Sequence, residues 1–591
     1  MDRTPIHACS ASCLAVRRAV RFVAPVVALI GWSSGLTAQA DIGAGATRDA
    51  ATEHPYRPGV DVQNYDLSLD LPTTGNVISG YAVLLIRHTT RVDTLVLDLV
   101  RLTVDSVRMD GSRVPFSRTA NEIHIPYHPK GKQSVRIEVA YRGAVEDGLI
   151  VRTDSAGRWT GFGDNWPNRA RYWIPSVDHP SDKATVSWSV TAPAGRTVIA
   201  NGTLVDRTTL PDGRVRTRWR EVHPIAVYLM VIAAAPLTEY PLGQTACGYG
   251  AIERTERTAA TPTRPSGARE ARGCVAQYVY TAPEQRAILP GAFAHAGEIV
   301  RYFSSLVGPF PYEKLAHLQS STRFGGMENA TAIFYSDAAF RTGRMGEGLI
   351  AHETAHQWFG DAVTEREWSH LWLSEGFATY FAALWARHAH GDSAFRSEME
   401  GVRSVVLRDV DAVPTHPVID TAQRDLLALL NANSYQKGGF VLHMLRRQVG
   451  DTAFFAALRS YYSTYRDGTA ISDDLRAAME AASGQELEWF FNQWLRRPGF
   501  PELDVTWSSD PSSHQVTLDI VQGSRFGAFR FPLTVEVRGA DGTARRATVL
   551  VPAESRAHLA LPLEGQPASP PRTLVADPDV ELLARIDVHP H

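Results

Sequence analysis

The stretch HETAH (His352 to His356) constrains this chain more than any other. Two histidines four apart fall on one face of a helix, one turn apart, and Glu353 stands at the edge of that face. Two neutral imidazoles suit zinc, and an adjacent carboxylate can take a proton from a water at the metal. A catalytic zinc site keeps one position open and takes a third protein ligand. The chain must therefore bring a second element back to this helix. Four later acids are candidates: Asp361, Glu365, Glu367 and Glu375. Asp361 is too near the first helix to return easily. Glu365 and Glu367 flank Arg366 in a polar connection and read as solvated loop charges. Glu375 differs, because Trp372, Leu373, Phe377 and Phe381 surround it on an otherwise apolar helix. A carboxylate there needs a partner, either a metal or a buried salt bridge.

The rest of the chain divides by the period of its apolar residues. From Tyr65 to about Leu237, segments such as YDLSLDL, YAVLLIRH and TVSWSVTAP alternate apolar and polar residues, which predicts strands. APEQRAILPGAFAHAGEIVRYFSSLVG, EGLIAHETAHQWFG, WLSEGFATYFAALWARHA and GGFVLHMLRRQVG have helical spacing. After RRPGFPELDV, whose Gly and Pro mark a linker, VTLDIVQ, FPLTVEVRG and RATVLVPA alternate again. The expected fold class is multidomain α+β. An N-terminal all-β domain spans 57–240, a helix-rich catalytic domain 241–500 and a small C-terminal β-sandwich 501–591.

The 591 residues exceed one core. A net charge of -3 gives no reason to expect a nucleic acid partner. Arg17, Arg18 and Arg21 precede the apolar run FVAPVVALIG, and AQA follows at Ala38 to Ala40. This pattern predicts a secretory signal over 1–40, then a flexible leader over 41–56, and export to the periplasm or the exterior. Membrane contact is expected only if the signal remains as an uncut anchor. In an exported protein, Cys247 and Cys274 are a plausible disulfide pair stapling a polar surface insertion. Oligomeric state is not legible.

HETAHQWFG, with eighteen residues between His356 and Glu375 of WLSEGFA, resembles the M1 aminopeptidase family of gluzincins. GGMEN (Gly325 to Asn329) resembles that family's GAMEN exopeptidase motif, with Gly326 where Ala is commoner. NSYQKGGFVLHML (Asn433 to Leu445) resembles the segment carrying its catalytic tyrosine. ELEWFFNQWLRRPGFPELDV resembles the end of its catalytic domain. The resemblance implies a thermolysin-like catalytic domain holding one Zn2+ per chain through His352, His356 and Glu375. Glu353 would be general base for a zinc-bound water attacking the first peptide bond, and Tyr435 would stabilise the oxyanion. Gly325, Gly326, Met327, Glu328 and Asn329 would bind substrate, with Glu328 pairing with the free amino group.

The expected activity is thus a zinc aminopeptidase acting on peptides with a free N-terminus. A thermolysin-type endopeptidase and a catalytically inactive peptide-binding scaffold are the alternatives. Two departures from the family stand out. In FGDNWPNRARYWIPSVDHPSDKA, Arg171 and Asp178-His179-Pro180 fit the family pattern. The Gln or Glu that helps hold the amine has no clean counterpart, and Asp164 or Asn165 stands nearest. Many relatives also carry a large helical C-terminal domain over the site. None is expected here, which implies a more open site admitting longer peptides.

Overall fold

The computed structural model describes residues 56–128, 133–154, 156–245, 274–342, 344–408, 415–510, 515–539, 542–562 and 571–591. The expected signal, most of the expected leader and Cys247 lie outside the described residues.

The alternating segments form strands, as their period requires. In Asp61–Asp70, Val62, Tyr65, Leu67 and Leu69 point into the core. This strand lies parallel to Lys183–Ala192 and antiparallel to Val77–Arg87 in an eight-stranded sheet. A second sheet of four strands contains Trp159–Gly163 and Ile232–Ala235, whose residues are all buried. Such strands carry no alternation because both faces are covered. Phe162 of this sheet meets Phe334 of the next domain edge to face, with ring centroids 6.1 Å apart.

A five-stranded sheet opens the catalytic region, in the order Thr238–Thr245, Val275–Thr281, Lys314–Ser320, Ala332–Ser336 and Gly326–Met327. The first of these strands straddles the expected boundary at residue 240. The last carries part of GGMEN and stands at the sheet's edge, paired among the described residues only with Ala332–Ser336. The HETAH segment lies in helix Glu347–His356, and Glu375 in helix Trp372–His390. Phe359 and Phe377 stack at 4.1 Å where these helices meet. A third helix, Gly438–Val449, crosses the second at Gly376. A Cβ there would come within 2.8 Å of the Gly438 backbone, so only glycine permits this approach. The contact brings the turn before Gly438, which holds Tyr435, up against Glu375.

The chain from Glu502 to Pro590 forms two small sheets of four and three strands, with Val505, Leu518, Phe531 and Val535 in their core. Among the described residues, no helix is long and apolar enough to cross a membrane.

Candidate active site

Helical spacing delivers what the sequence promised. His352 Nε2 and His356 Nε2 stand 3.2 Å apart, and each is 3.4 Å from Glu375 Oε2. These spacings would let His352, His356 and Glu375 all reach one zinc ion at the distances of about 2.0–2.2 Å at which it binds imidazole and carboxylate. Glu375 Oε2 is buried, and among the described residues its nearest partners are the two imidazoles at 3.4 Å, with no well-formed hydrogen bond. A bare buried acceptor is costly, and a cation there removes the cost. His356 Nδ1 lies 3.2 Å from the Phe359 carbonyl and 2.9 Å from Ser374 Oγ. A carbonyl only accepts, so Nδ1 carries a proton, and Nε2 is the nitrogen that would give up its own proton to turn a lone pair to a metal.

The other predicted residues converge on this triangle. The Glu353 carboxylate lies against Gly326, where a Cβ would sit 2.1 Å from its Oε1. Glu328, Glu353 and His356 offer ligand atoms all within 4.8 Å of one another. Tyr435 sits in a single π turn, Asn433–Lys437, where the Lys437 N–H donates to the Ala432 carbonyl. Such turns often mark functional sites. The Tyr435 hydroxyl donates to Glu375 Oε1 at 2.7 Å, and its ring lies parallel to that of His352. Gly325 holds the edge strand through its carbonyl, which accepts from Ser336 N–H. Met327 and Asn329 are buried, and the Asn329 amide has no hydrogen-bond partner among the described residues.

The electrostatics favour cations. Burial pushes Glu353 well above the usual carboxylate range, and the charges of Glu328 and Glu375 add to the rise while His356 opposes it. Burial raises Glu328 too, against the pull of His356. Glu375 runs the other way. Burial would raise it, but His356 and His352 bring it down to about 2. Burial alone would lower His356, yet Glu328, Glu375 and Glu353 raise it to about 10. Several carboxylates crowd round one imidazole, and a divalent ion with a substrate ammonium would balance them.

Two sequence expectations need correction. Glu365 is not a solvated loop charge, for it is 1% exposed and neither carboxylate oxygen has a hydrogen-bond partner among the described residues. The strand Val363–Glu365 pairs with Gly468–Ala470 inside the core, an arrangement that the polar run TERE conceals. Glu367 is half-buried. Asp361 is also fully buried, and its Oδ2 accepts from Gln357 Nε2 at 2.7 Å. Nor is Asp164 or Asn165 free to hold an amine. Asp164 binds Arg169 and Thr322, and Asn165 is taken up by the Met230 carbonyl and the Trp173 indole. Sequence reasoning gave no role to Gln357 or Thr331, which tie the GGMEN turn to the histidine helix. Gln357 directly follows HETAH, but nothing in its surroundings marks it.

Residues 292–494 match the profile of the peptidase family M1 domain, and residues 62–229 that of the peptidase M1 N-terminal domain. Probable aminopeptidase 2 of Sulfurisphaera tokodaii is 27% identical over 507 residues, covering 81% of this chain and 59% of the relative. Leucyl aminopeptidase of Saccharolobus solfataricus is 25% identical over 501 residues, with 81% and 59% covered. This chain thus spans about three fifths of the length of those relatives. The crystal structure of an M1 zinc metallopeptidase from Deinococcus radiodurans is 27% identical, with TM-score 0.61, covering 74% of this chain and 93% of that one. A mutant of it bound to a Tyr-Ser-Ala substrate matches with TM-score 0.62 at the same identity, over 74% and 94% of the two chains. Aminopeptidase A of Legionella pneumophila shares the fold at 17% identity and TM-score 0.75, over 90% of this chain and 60% of that one.

Proposed function

The chain belongs to peptidase family M1, and from that premise we propose that it is a zinc aminopeptidase that removes single residues from the free N-terminus of peptides. One observation carries the reading. Glu328 and Glu353 both lie within 4.8 Å of the His356 ligand atom. A carboxylate for the substrate ammonium and a carboxylate for proton transfer therefore share one corner of the metal triangle. A chain whose ammonium rests on Glu328 has its first peptide bond beside that triangle, and an internal segment has no charge to offer there. This favours an aminopeptidase over an endopeptidase, and the intact ligand triangle disfavours an inactive scaffold.

In this reading His352, His356 and Glu375 hold the zinc. When bound, zinc supplies Lewis acidity, which polarises the scissile carbonyl and the attacking water. Glu353 takes the water's proton and returns it to the leaving amine, a role typically worth about 10²–10⁴-fold. Tyr435 donates its hydroxyl to the developing oxyanion, turning from Glu375 Oε1 as charge builds on the substrate. Gly325, Gly326 and Met327 present an edge strand to which an extended peptide can add, Gly326 leaving room for Glu353. Glu328 binds the ammonium, and Asn329 closes the motif behind it.

Purified protein is to be assayed on a panel of aminoacyl fluorogenic substrates and their N-acetylated forms, with and without chelator. Chelator-sensitive hydrolysis of the free-amine substrates alone is expected. Undiminished cleavage of acetylated substrates would point to the endopeptidase. We also propose export, from the basic and then apolar segment at Arg17 to Gly31. Fractionation of cells expressing the full chain tests it, and a cytoplasmic pool would refute it.

A further inference from the structure

Thr331 follows the GGMEN turn in a conformation that its residue type resists. Its φ is 66°, in the left-handed region, and a β-branched side chain is a genuine outlier there. Such a residue persists only where its surroundings over-determine it, and strain of this kind gathers at functional sites. Every polar group of Thr331 is tied down. Its N–H donates to Gln357 Oε1 at 2.9 Å. Its Oγ1 accepts from Gly202 N–H at 2.8 Å and from Lys314 Nζ at 3.1 Å. Its carbonyl accepts from Ala316 N–H at 2.9 Å.

Gln357 closes the other end of the same turn. Its Nε2 donates to the Glu328 carbonyl at 2.8 Å, and the residue is wholly buried. One side-chain amide thus grips the backbone at residue 328 and at residue 331. That amide belongs to the residue next after His356. The carboxylate proposed to bind the ammonium is therefore measured off against a metal ligand through one rigid, buried link. Asn201, from the N-terminal domain, steadies the turn from outside, its Nδ2 donating to the Ala330 carbonyl at 2.8 Å.

We infer that Gln357 and Thr331 are positioning residues for the substrate's amino terminus. They set the distance from Glu328 to the metal triangle, and so confine cleavage to the first peptide bond. The inference rests on the aminopeptidase reading of Glu328. Neither residue touches substrate, so the signature is a loss of amine recognition with the metal site intact.

The test uses the zinc-loaded full chain and the variants Thr331→Val, Thr331→Ser, Gln357→Met and Gln357→Glu. The readouts are zinc content, kcat and KM on an aminoacyl substrate, any turnover of its N-acetylated form, and equilibrium binding of an amino-acid amide. Thr331→Ser keeps the hydroxyl and is expected to match the parent. Thr331→Val and Gln357→Met are expected to raise KM for the free-amine substrate about tenfold or more, as loss of a buried hydrogen bond implies. They should weaken amide binding alike, leave zinc content unchanged and move kcat less than about threefold. Gln357→Glu keeps the acceptor for Thr331 but loses the donor to the Glu328 carbonyl and to Asp361 Oδ2, so one of the two facing carboxyls must hold a proton. It should give a smaller shift of the same kind, and it decides the matter if Gln357→Met does not fold. Unchanged KM and amide binding in the variants, with the parent still preferring free amines, overturns the inference alone. A fall of kcat on the free-amine substrate with KM and amide binding unmoved also overturns it, since that marks a scaffold defect. A parent enzyme indifferent to acetylation overturns the reading of Glu328 itself.

Discussion

The Tyr435 hydroxyl donates to Glu375 Oε1 at 2.7 Å, while Oε2 of the same carboxylate faces both histidines. One side chain thus stands in two places at once, beside the third ligand and beside the space where a scissile carbonyl would lie. Partners that hold a ligand from behind tune metal affinity, typically by about 10–100-fold. A donor aimed at developing charge contributes on the order of 3–4 kcal/mol to the transition state.

Tyr435→Phe should therefore show two separable losses. At saturating zinc, kcat is expected to fall by about 10²–10³-fold with KM little changed. In a chelator titration the variant should lose its zinc earlier than the parent. Turnover within a few-fold of the parent at saturating zinc would remove the oxyanion role and leave only the hold on Glu375.

Glu353 and Gly326 make a second pair. Glu353→Ala should retain zinc and lose turnover by about 10²–10⁴-fold. Gly326→Ala tests the same carboxylate from the substrate side. A Cβ at Gly326 would stand 2.1 Å from Glu353 Oε1, so the carboxylate must swing aside. A fall in kcat with full zinc content is expected. If Gly326→Ala turns over like the parent, the placement of Glu353 against Gly326 does not matter to the proton transfer.

The metal-free protein should couple zinc uptake to protons. Burial would lower His356, but Glu328 and Glu375 raise it to about 10 from its ordinary 6.5. The sign follows. His356 contributes stability to the metal-free fold that is fully present below about pH 6.5 and is lost as pH rises toward 10. Zinc needs the imidazole's lone pair, so at pH 7 its binding must expel about one proton and strengthen as pH rises. Calorimetry in two buffers of different ionisation enthalpy reads that proton directly. Zinc affinity that does not change between pH 6.5 and 8 would contradict the assignment.

Patterning explains which parts were legible in the sequence. Period-two segments became strands, and the four-residue histidine spacing became one ligand face, because these periods are local geometry. Glu375 was legible because apolar neighbours predict burial, and a buried carboxylate requires a partner. Glu365 was misread for the converse reason. Its neighbours in sequence are polar, and its burial comes from pairing with Gly468–Ala470, a hundred residues away. Thr331 gave no signal, since a left-handed threonine is a consequence of contacts with Gln357, Gly202 and Lys314 that no local pattern encodes. Asp164 and Asn165 looked available only because Arg169 and Met230, their partners, are fixed by tertiary packing.

Lys183 provides the last prediction, on the joint between domains. It opens a strand of the N-terminal sheet, yet its Nζ donates to the carbonyls of Asp361, Ala362 and Gly468 in the catalytic region, at 2.8, 2.9 and 3.0 Å. Burial pushes its pKa down to about 8, against the pull of Asp467, Asp361 and Glu365, so the ammonium is held at a cost. Three carbonyl acceptors around one ammonium explain why that cost is tolerated, although Thr364 Oγ1 also donates to the Asp361 carbonyl and Asp467 N–H to that of Ala362. Lys183→Met matches the stem but removes the ammonium donor from all three, leaving those of Asp361 and Ala362 with Thr364 and Asp467 alone. A loss of about 1–3 kcal/mol of stability is expected, read as a lower unfolding midpoint in denaturant at pH 7. Asp361 and Ala362 end the turn that leaves His356, so the variant should also release zinc faster than the parent. A midpoint and a zinc release rate both equal to the parent's would show that the joint holds without this lysine.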